Sequence, residues 1–295
     1  MSNRPSVRQL ECAVAVAEHR HFGRAARACA ISQPALSSQV QLFEDELGVR
    51  LFERARRGVL LTAAGEGVIE RARAALHALD DVVDAARRRG PLAGPLHLGV
   101  IPTVAPYLLP RWLPRVRAAH PELRVFLHED RTARIVERLR RGELDLLLLA
   151  LPVDGDDLHA LPLFAEPFLL AAPRGHRLAA GGRRRVSERD LEGEAVLLLE
   201  DGHCLRDQAL TLCRHAGARE SVEVRASSLT TLVQMVAGGF GVTLLPEGAA
   251  PIEVHPDDGI VLRRFQAPEP TRTLGLLWRK ASPRAEAFAG LGKLF

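Results

Sequence analysis

Lysine is almost missing from this sequence: Lys280 and Lys293 are the only two, so nearly all of the 40 basic residues are arginine. With Ala, Gly and Pro abundant as well, this reads as the codon usage of a GC-rich genome. The formal charge of +4 and a pI near 9.2 suit a nucleic-acid partner and equally an ordinary solvated surface. Cysteine is scarce, with four in 295 residues, which excludes a fold stapled by disulfides; 47% hydrophobic and 26% charged residues give ample material for a packed core. No cysteine has the close cysteine partner of a zinc site, so neither a metal nor another cofactor is expected. Long apolar runs are missing too. The longest, Leu144 to Leu151, is broken by Asp145 and falls far short of a membrane span. The opening MSNRPSVRQLE lacks the uninterrupted apolar stretch of a signal peptide. The expectation is a cytoplasmic protein with no membrane partner.

A chain of 295 residues suggests two or three domains. Residues 1–62 are arginine-rich and helical in pattern, and 63–89 form one long segment without proline. Residues 90–95, Gly-Pro-Leu-Ala-Gly-Pro, read as a hinge. Across 96–295 short apolar strands alternate with helical stretches, which is an α/β pattern. The expected fold class is therefore α/β with an all-α amino-terminal part. In the long segment Val68, Ala72, Ala75, Leu79, Val82 and Ala86 step alternately by four and three, a heptad seam. A linker helix that pairs two subunits fits this seam, and so does a single helix packed on its own domain.

The amino-terminal unit reads as three helices. Leu10, Ala13, Val14 and Ala17 mark the first, and an alanine-rich second runs from about Gly23 to Ala30. Ser32 stands at a natural N-cap, with Pro34 in the first turn of a third helix, Gln33 to Leu47, that ends at Gly48. Small polar residues at the start of that helix, Gln33, Ser37, Ser38 and Gln41, are of a kind that reaches base edges and phosphates in a major groove. Arg50, Arg54, Arg56 and Arg57 precede Gly58, as in a wing that grips the phosphate backbone. A plain three-helix bundle with an arginine-rich loop shares these features.

Cys12 and Cys29 lie among alanines and valines and read as small apolar filler. Cys204 is different: the apolar strand Ala195 to Leu199 gives way to a turn and then a helical pattern. That puts Cys204 near a helix N-terminus between His203 and Arg206, and all three features favour the reactive thiolate. Peroxide would oxidise it to a sulfenic acid that a second thiol could resolve. Cys213 is the natural candidate, yet nine helical residues separate the Cα atoms by roughly 13 Å, whereas a disulfide needs about 7 Å or less. Pairing then demands refolding. Cys213 as core filler and Cys204 as a mere cap-proximal thiol remains open on these residues alone.

Phe22-Gly-Arg-Ala-Ala26, Ile31-Ser-Gln-Pro-Ala-Leu-Ser37, Leu47-Gly-Val-Arg-Leu-Phe-Glu-Arg54 and Leu61-Thr-Ala-Ala-Gly65, in that order, resemble the winged helix-turn-helix of LysR-type transcriptional regulators. Glu200-Asp-Gly-His-Cys-Leu-Arg-Asp-Gln-Ala209 with Cys213 resembles the redox segment of the peroxide-sensing members of that family. So do Ile101 to Pro110, Leu127 to Glu129, Thr132, Leu163 to Pro167, Thr243 to Pro246 and Pro268 to Thr273; Ala105 and Phe240 stand where smaller residues are usual.

The resemblance implies a winged helix-turn-helix, a linker and dimerisation helix, and a two-subdomain, periplasmic-binding-protein-like regulatory domain. In that domain, subdomain I would cover about 96–164 and 269–295, and subdomain II about 165–268. It implies DNA contacts from Ser32, Gln33, Pro34, Ala35, Ser37, Ser38, Arg54, Arg56 and Arg57. It implies a peroxidatic Cys204 and a resolving Cys213, within a polar shell of Thr103, Thr132, His203, Arg206, Asp207 and Arg272. It further implies a homo-tetramer, promoter DNA, RNA polymerase, hydrogen peroxide as signal, and glutaredoxin- or thioredoxin-type reductants, in a regulator that is not an enzyme.

Overall fold

The computed structural model describes residues 4–55, 58–87, 90–180 and 185–295. Its contacts cluster into two compact units: Met1–Arg88 with Arg141–Glu143, and Arg89–Arg140 with Leu144–Phe295. In the first unit, α1 (Val7–His19) starts at a capping box between Ser6 and Gln9. The ring Nδ1 of His21 caps α2 (Phe22–Ala28) by accepting from the Gly23 and Arg24 amides. The helix α3 (Gln33–Leu47) is capped by Ser32, takes Pro34 in its first turn, and stops at Gly48 with φ 67°, in the left-handed region where glycine costs little. The chain then forms an antiparallel hairpin of β1 (Phe52–Ala55) and β2 (Gly58–Leu61), so this unit is helical except for its wing.

A buried carboxylate holds the wing to the third helix. Glu44 of α3 accepts the Leu51 and Phe52 amides at 2.7 and 3.1 Å and takes Arg50 Nη1 at 2.9 Å. The following helix, α4 (Ala63–Arg87), buries Ile69 and Ala72 yet leaves Leu79 and Val82 40% and 67% exposed. Residues 88 and 89 of the expected linker lie outside the described residues.

The second unit opens with β3 (Gly94–Val100), α5 (Ala105–Ala119), β4 (Leu123–Glu129), α6 (Thr132–Arg140) and β5 (Leu146–Leu151). A long strand, β6 (Leu158–Pro173), leads to the short β7 (Arg185–Val186), β8 (Ala195–Leu199), α7 (Cys204–Ala216), β9 (Arg219–Ala226) and α8 (Leu229–Ala237). The chain ends with β10 (Val242–Pro246), α9 (Ala250–Glu253), β11 (Ile260–Phe265), β12 (Thr271–Arg279) and α10 (Ala285–Gly292). Every residue of β5 is buried, as expected of a strand covered on both faces.

The sheet has the strand order β4-β3-β5-β12-β6-β10-β8-β9, with β11 and β7 alongside β6. The strand β6 serves both halves of this unit. Its residues Leu158 to Pro167 pair with β12, and Phe168 to Ala171 pair with β10. Two separate hydrophobic cores follow, one around β3, β5, α5 and α6, the other around β8, β10, α7 and α8.

Gly65 shows why the Leu-Thr-Ala-Ala-Gly motif takes that form. The Thr62 hydroxyl donates to the Arg50 carbonyl at 2.7 Å and accepts the Gly65 amide at 2.9 Å, drawing the start of α4 tightly onto the residues after α3. A Cβ on Gly65 would lie 2.1 Å from the Leu51 carbonyl oxygen, and backbone cannot give way as a side chain does. Gly65→Ala should therefore cost about 1–3 kcal/mol, read as a lower denaturant midpoint for the full chain; an unchanged midpoint would contradict this packing.

Candidate functional site

In the first unit the start of α3 is open to solvent. Ser32, Gln33, Pro34, Ala35, Ser37 and Ser38 are all exposed at the start of α3, while Leu36 and Val40 on the opposite face are buried. The Ser32 hydroxyl accepts the Ala35 amide at 3.3 Å, leaving its own proton free to donate outward. Arg54 lies in β1 opposite Val59. Arg56 and Arg57 fall outside the described residues.

In the second unit the carboxyl ends of parallel strands converge, the usual place for a ligand in α/β sheets. Thr103 follows β3, Arg131 and Thr132 follow β4, His203 and Cys204 follow β8, and Gly248 follows β10. Thr103 and Arg272 are brought together: buried Arg272 donates from Nη1 to Thr103 Oγ1 at 3.1 Å and from Nη2 to the Thr103 carbonyl at 2.9 Å. Its Nε donates to Glu166 at 2.7 Å, and the other oxygen of that carboxylate accepts the Gly248 amide at 2.9 Å. Because Arg272 holds Thr103 Oγ1 as an acceptor, the threonine proton is free to be donated. Close by in sequence, the sole tyrosine, Tyr107 of α5, donates to Glu253 of α9 at 2.6 Å. Burial, followed by that carboxylate, raises its phenol far above the ordinary value.

Arg131 forms an ion pair with Glu200, which ties the head of α6 to the turn leading into α7. Beside it, Thr132 Oγ1 is buried with no hydrogen-bond partner among the described residues. The same is true of Gln208 Oε1, one helical turn beyond Cys204. A buried oxygen without a donor is costly unless a ligand or water supplies one. His203 is buried at the N-cap position; burial, then the charge of Arg131, holds its imidazole below the usual histidine range, so at neutral pH it is uncharged.

Cys204 is the first residue of α7, half-buried, and it packs against the core of β3, β5 and α5. Cys213, on the same helix, is buried in the other core, and that burial, with the charge of Glu220, pushes its thiol up to about 11. Both thiols are free. The two other expected shell residues differ in setting. Buried Arg206 binds Asp201 at 2.9 Å, Glu220 at 2.7 Å and the Leu199 carbonyl at 3.3 Å, and Asp207 is exposed. Among the described residues no group of three or more His, Cys, Asp or Glu is placed to hold a metal ion, and no helix is long and apolar enough to cross a membrane.

Residues 7–66 match the bacterial regulatory helix-turn-helix family of lysR type, and residues 89–293 match the LysR substrate binding domain. The chain belongs to the LysR family. It is 46% identical over 98% of its length, and 94% of the relative's, to the DNA-binding transcriptional dual regulator OxyR of Escherichia coli K12. A full-length OxyR variant from Pseudomonas aeruginosa is similar in structure, with a TM-score of 0.75 at 36% identity, over 99% of this chain and 97% of that one. A hydrogen-peroxide-bound OxyR mutant of Corynebacterium glutamicum is similar with a TM-score of 0.66 at 39% identity, over 99% of this chain and 93% of that one.

Within this LysR-family chain, two residues organise the two regions: Glu44 at the wing, which no motif marks, and Glu166 at the cleft, which lies in the Leu163 to Pro167 segment but whose partner the sequence does not show. Glu166 stands directly across β6 from Arg272 of β12, a pairing that no local pattern announces. Arg272→Ala would leave that carboxylate buried without its partner, a loss of about 3–5 kcal/mol. Chemical denaturation of the full chain should show it; a variant as stable as the parent would remove Arg272 from this framework role.

Proposed function

We propose that the chain is a hydrogen-peroxide-responsive transcriptional regulator that binds promoter DNA and is switched by a reversible Cys204–Cys213 disulfide to activate antioxidant genes. The observation that carries this reading is the disposition of the two thiols. Cys204 meets the strand-end cluster at a helix N-terminus, where the helix dipole favours negative charge, while Cys213 waits on the same helix in a separate core. The likeness to peroxide-inducible gene activators along almost the whole chain supports the same conclusion.

The Cys204 thiolate attacks one peroxide oxygen, the O–O bond breaks, and the departing hydroxide takes up a proton to leave as water. Cys213 then attacks the sulfur of the sulfenic acid, the S–O bond breaks, and a second water leaves. Hydrogen peroxide offers two O–H donors and two acceptor oxygens. The unpartnered oxygens of Thr132 and Gln208 suit its protons; the Thr103 hydroxyl suits an oxygen. His203, Thr132, Thr103 and Arg272 are assigned to the shell that receives peroxide. Arg206 and Asp207 are assigned to the turn and helix that move, since Arg206 ties the start of α7 to β8 and β9.

The DNA contacts are assigned to the exposed start of α3 and to Arg54, Arg56 and Arg57 of the wing. The open seam of α4, with Leu79 and Val82 exposed, supports a linker helix over 63–89 that pairs two subunits, and the reading extends to a tetramer built as a dimer of dimers. A hinge at 90–95 would lead into a regulatory domain at 96–295. Because β6 passes from one sheet half to the other near Pro167 and β12 returns near Thr271, the two subdomains divide close to 164 and 268. RNA polymerase is the effector of activation, glutaredoxin- or thioredoxin-type proteins are the reductants, and the compartment is the cytoplasm. One oxidation per signal, without sustained peroxide turnover, distinguishes this regulator from a thiol peroxidase.

The test is a thiol count under denaturing conditions, before and after a brief peroxide pulse, together with peroxide-dependent transcription of the Cys204→Ser variant. Loss of two thiols with a linked Cys204–Cys213 peptide, and a variant that no longer responds, are expected. Four unchanged thiols would turn the reading to a LysR-family regulator of a small organic effector. A Cys204→Ser protein that still activates transcription on addition of peroxide would remove the mechanism.

A further inference from the structure

The first unit holds a second pair of thiols. Cys12 lies on the buried face of α1, and Cys29 is the C-cap of α2, half-buried against the same small core. The Cys29 thiol reaches the carbonyl of Glu11, the neighbour of Cys12, at 3.9 Å, and the side chains of Cys12 and Cys29 interact directly. Nothing in the sequence brings them near, since they belong to different helices and meet only through the packing of α1 on α2. Both are free thiols. Packing alone accounts for Cys12, which is sealed in the core, but not for Cys29, which keeps part of its surface in solvent.

We propose that Cys12 and Cys29 form a second redox pair, closing under hydrogen peroxide to a reversible disulfide inside the DNA-binding unit that weakens its grip on DNA. The roles divide by access. Cys29, open to solvent, meets the oxidant: its sulfur takes one peroxide oxygen as the O–O bond breaks, and the other oxygen leaves as water. Cys12 then attacks the sulfenic sulfur, the S–O bond breaks, and a second water departs, so two thiols and one peroxide give one disulfide and two waters. Cys12, sealed in the core, meets no oxidant from solvent and can act only in this second step, which is slow because burial pushes its thiol up to about 11 and the thiolate is the nucleophile. This pair therefore closes more slowly than a solvent-facing thiol with a ready thiolate partner would.

The position of Cys29 gives the bond a consequence. Arg8 Nη2 holds the Cys29 carbonyl at 2.5 Å; the next residue, Ala30, is left-handed at φ 53°; and Ser32, the N-cap of the recognition helix, follows. A covalent bond must draw the two sulfurs inside their non-bonded contact distance. That pulls the end of α2 towards α1 and moves the turn that aims α3. A recognition helix displaced by a fraction of its hydrogen-bond tolerance loses base contacts first.

The test uses the full chain carrying Cys204→Ser and Cys213→Ser, so that it stands whether or not the first pair acts as proposed. After a graded peroxide titration, non-reducing digestion and mass spectrometry should find a Cys12–Cys29 linked peptide, lighter by two hydrogens than its parts. Affinity for a duplex selected by the reduced protein from a random pool should fall and be restored by dithiothreitol. Adding Cys12→Ala, a small buried change, should stop Cys29 at a sulfenic acid or mixed disulfide and keep the affinity high; Cys29→Ser should leave Cys12 unreacted. Thiols that stay unlinked, or a linked pair that leaves the affinity unchanged, would overturn the proposal.

Discussion

An α-helix turns about 100° per residue, so nine residues carry the chain through two and a half turns and leave the two ends on opposite sides. Cys204 and Cys213 obey this constraint in α7. One faces the core built on β3 and β5, the other the core built on β8 and β10, and no rotamer change can bring the two sulfurs together. Any reaction that joins them must dismantle the helix, and with it the packing of Leu205, Ala209 and Leu212, all buried in the second core. The proposed switch thus follows from helix geometry: a bond of a few atoms is incompatible with the fold that holds the reduced thiols. Packed cores are bistable and do not deform continuously, which is why so local a reaction has a large structural outcome.

The surroundings fit a device of this kind. The polar framework that does not have to move is deeply satisfied: Arg272 spends its donors on Thr103 and Glu166, and Glu166 takes a backbone amide as well. The part that would have to move is held by ties of two kinds. Arg131 meets Glu200, both partly open to solvent, and Arg206 meets Asp201, which is largely solvent-exposed; exposed ion pairs of this type contribute little. Buried Arg206 is held more firmly by Glu220 and the Leu199 carbonyl, so refolding of α7 must give up those bonds as well.

Much of this was legible where the signal is local. Ser32, Pro34 and Gly48 delimit α3 to the residue, and the apolar run Ala195 to Leu199 is the observed β8. The second helix ends at Ala28, two residues before its expected end, because Ala30 takes a left-handed turn, which no propensity scale signals. What could not be read depends on contacts between distant segments. Glu166 gains its role only from the register that sets it against Arg272, and Glu44 from a wing that folds back onto its helix. Cys12 and Cys29 looked like filler because the sequence places each among small apolar residues, and only the crossing of α1 and α2 brings them into contact.

The most direct test of the central claim is hydrogen exchange over residues 204–216, comparing the reduced protein with one in which Cys204 and Cys213 are linked. In the reduced state the interior amides of α7 should be protected, since they are bonded within the helix and lie over a buried core. In the linked state that protection should be lost across the segment while β8 and β10 keep theirs. Protection that persists through residues 204–216 in the linked protein would mean that the thiols meet without unmaking the helix, and would contradict a switch driven by its refolding.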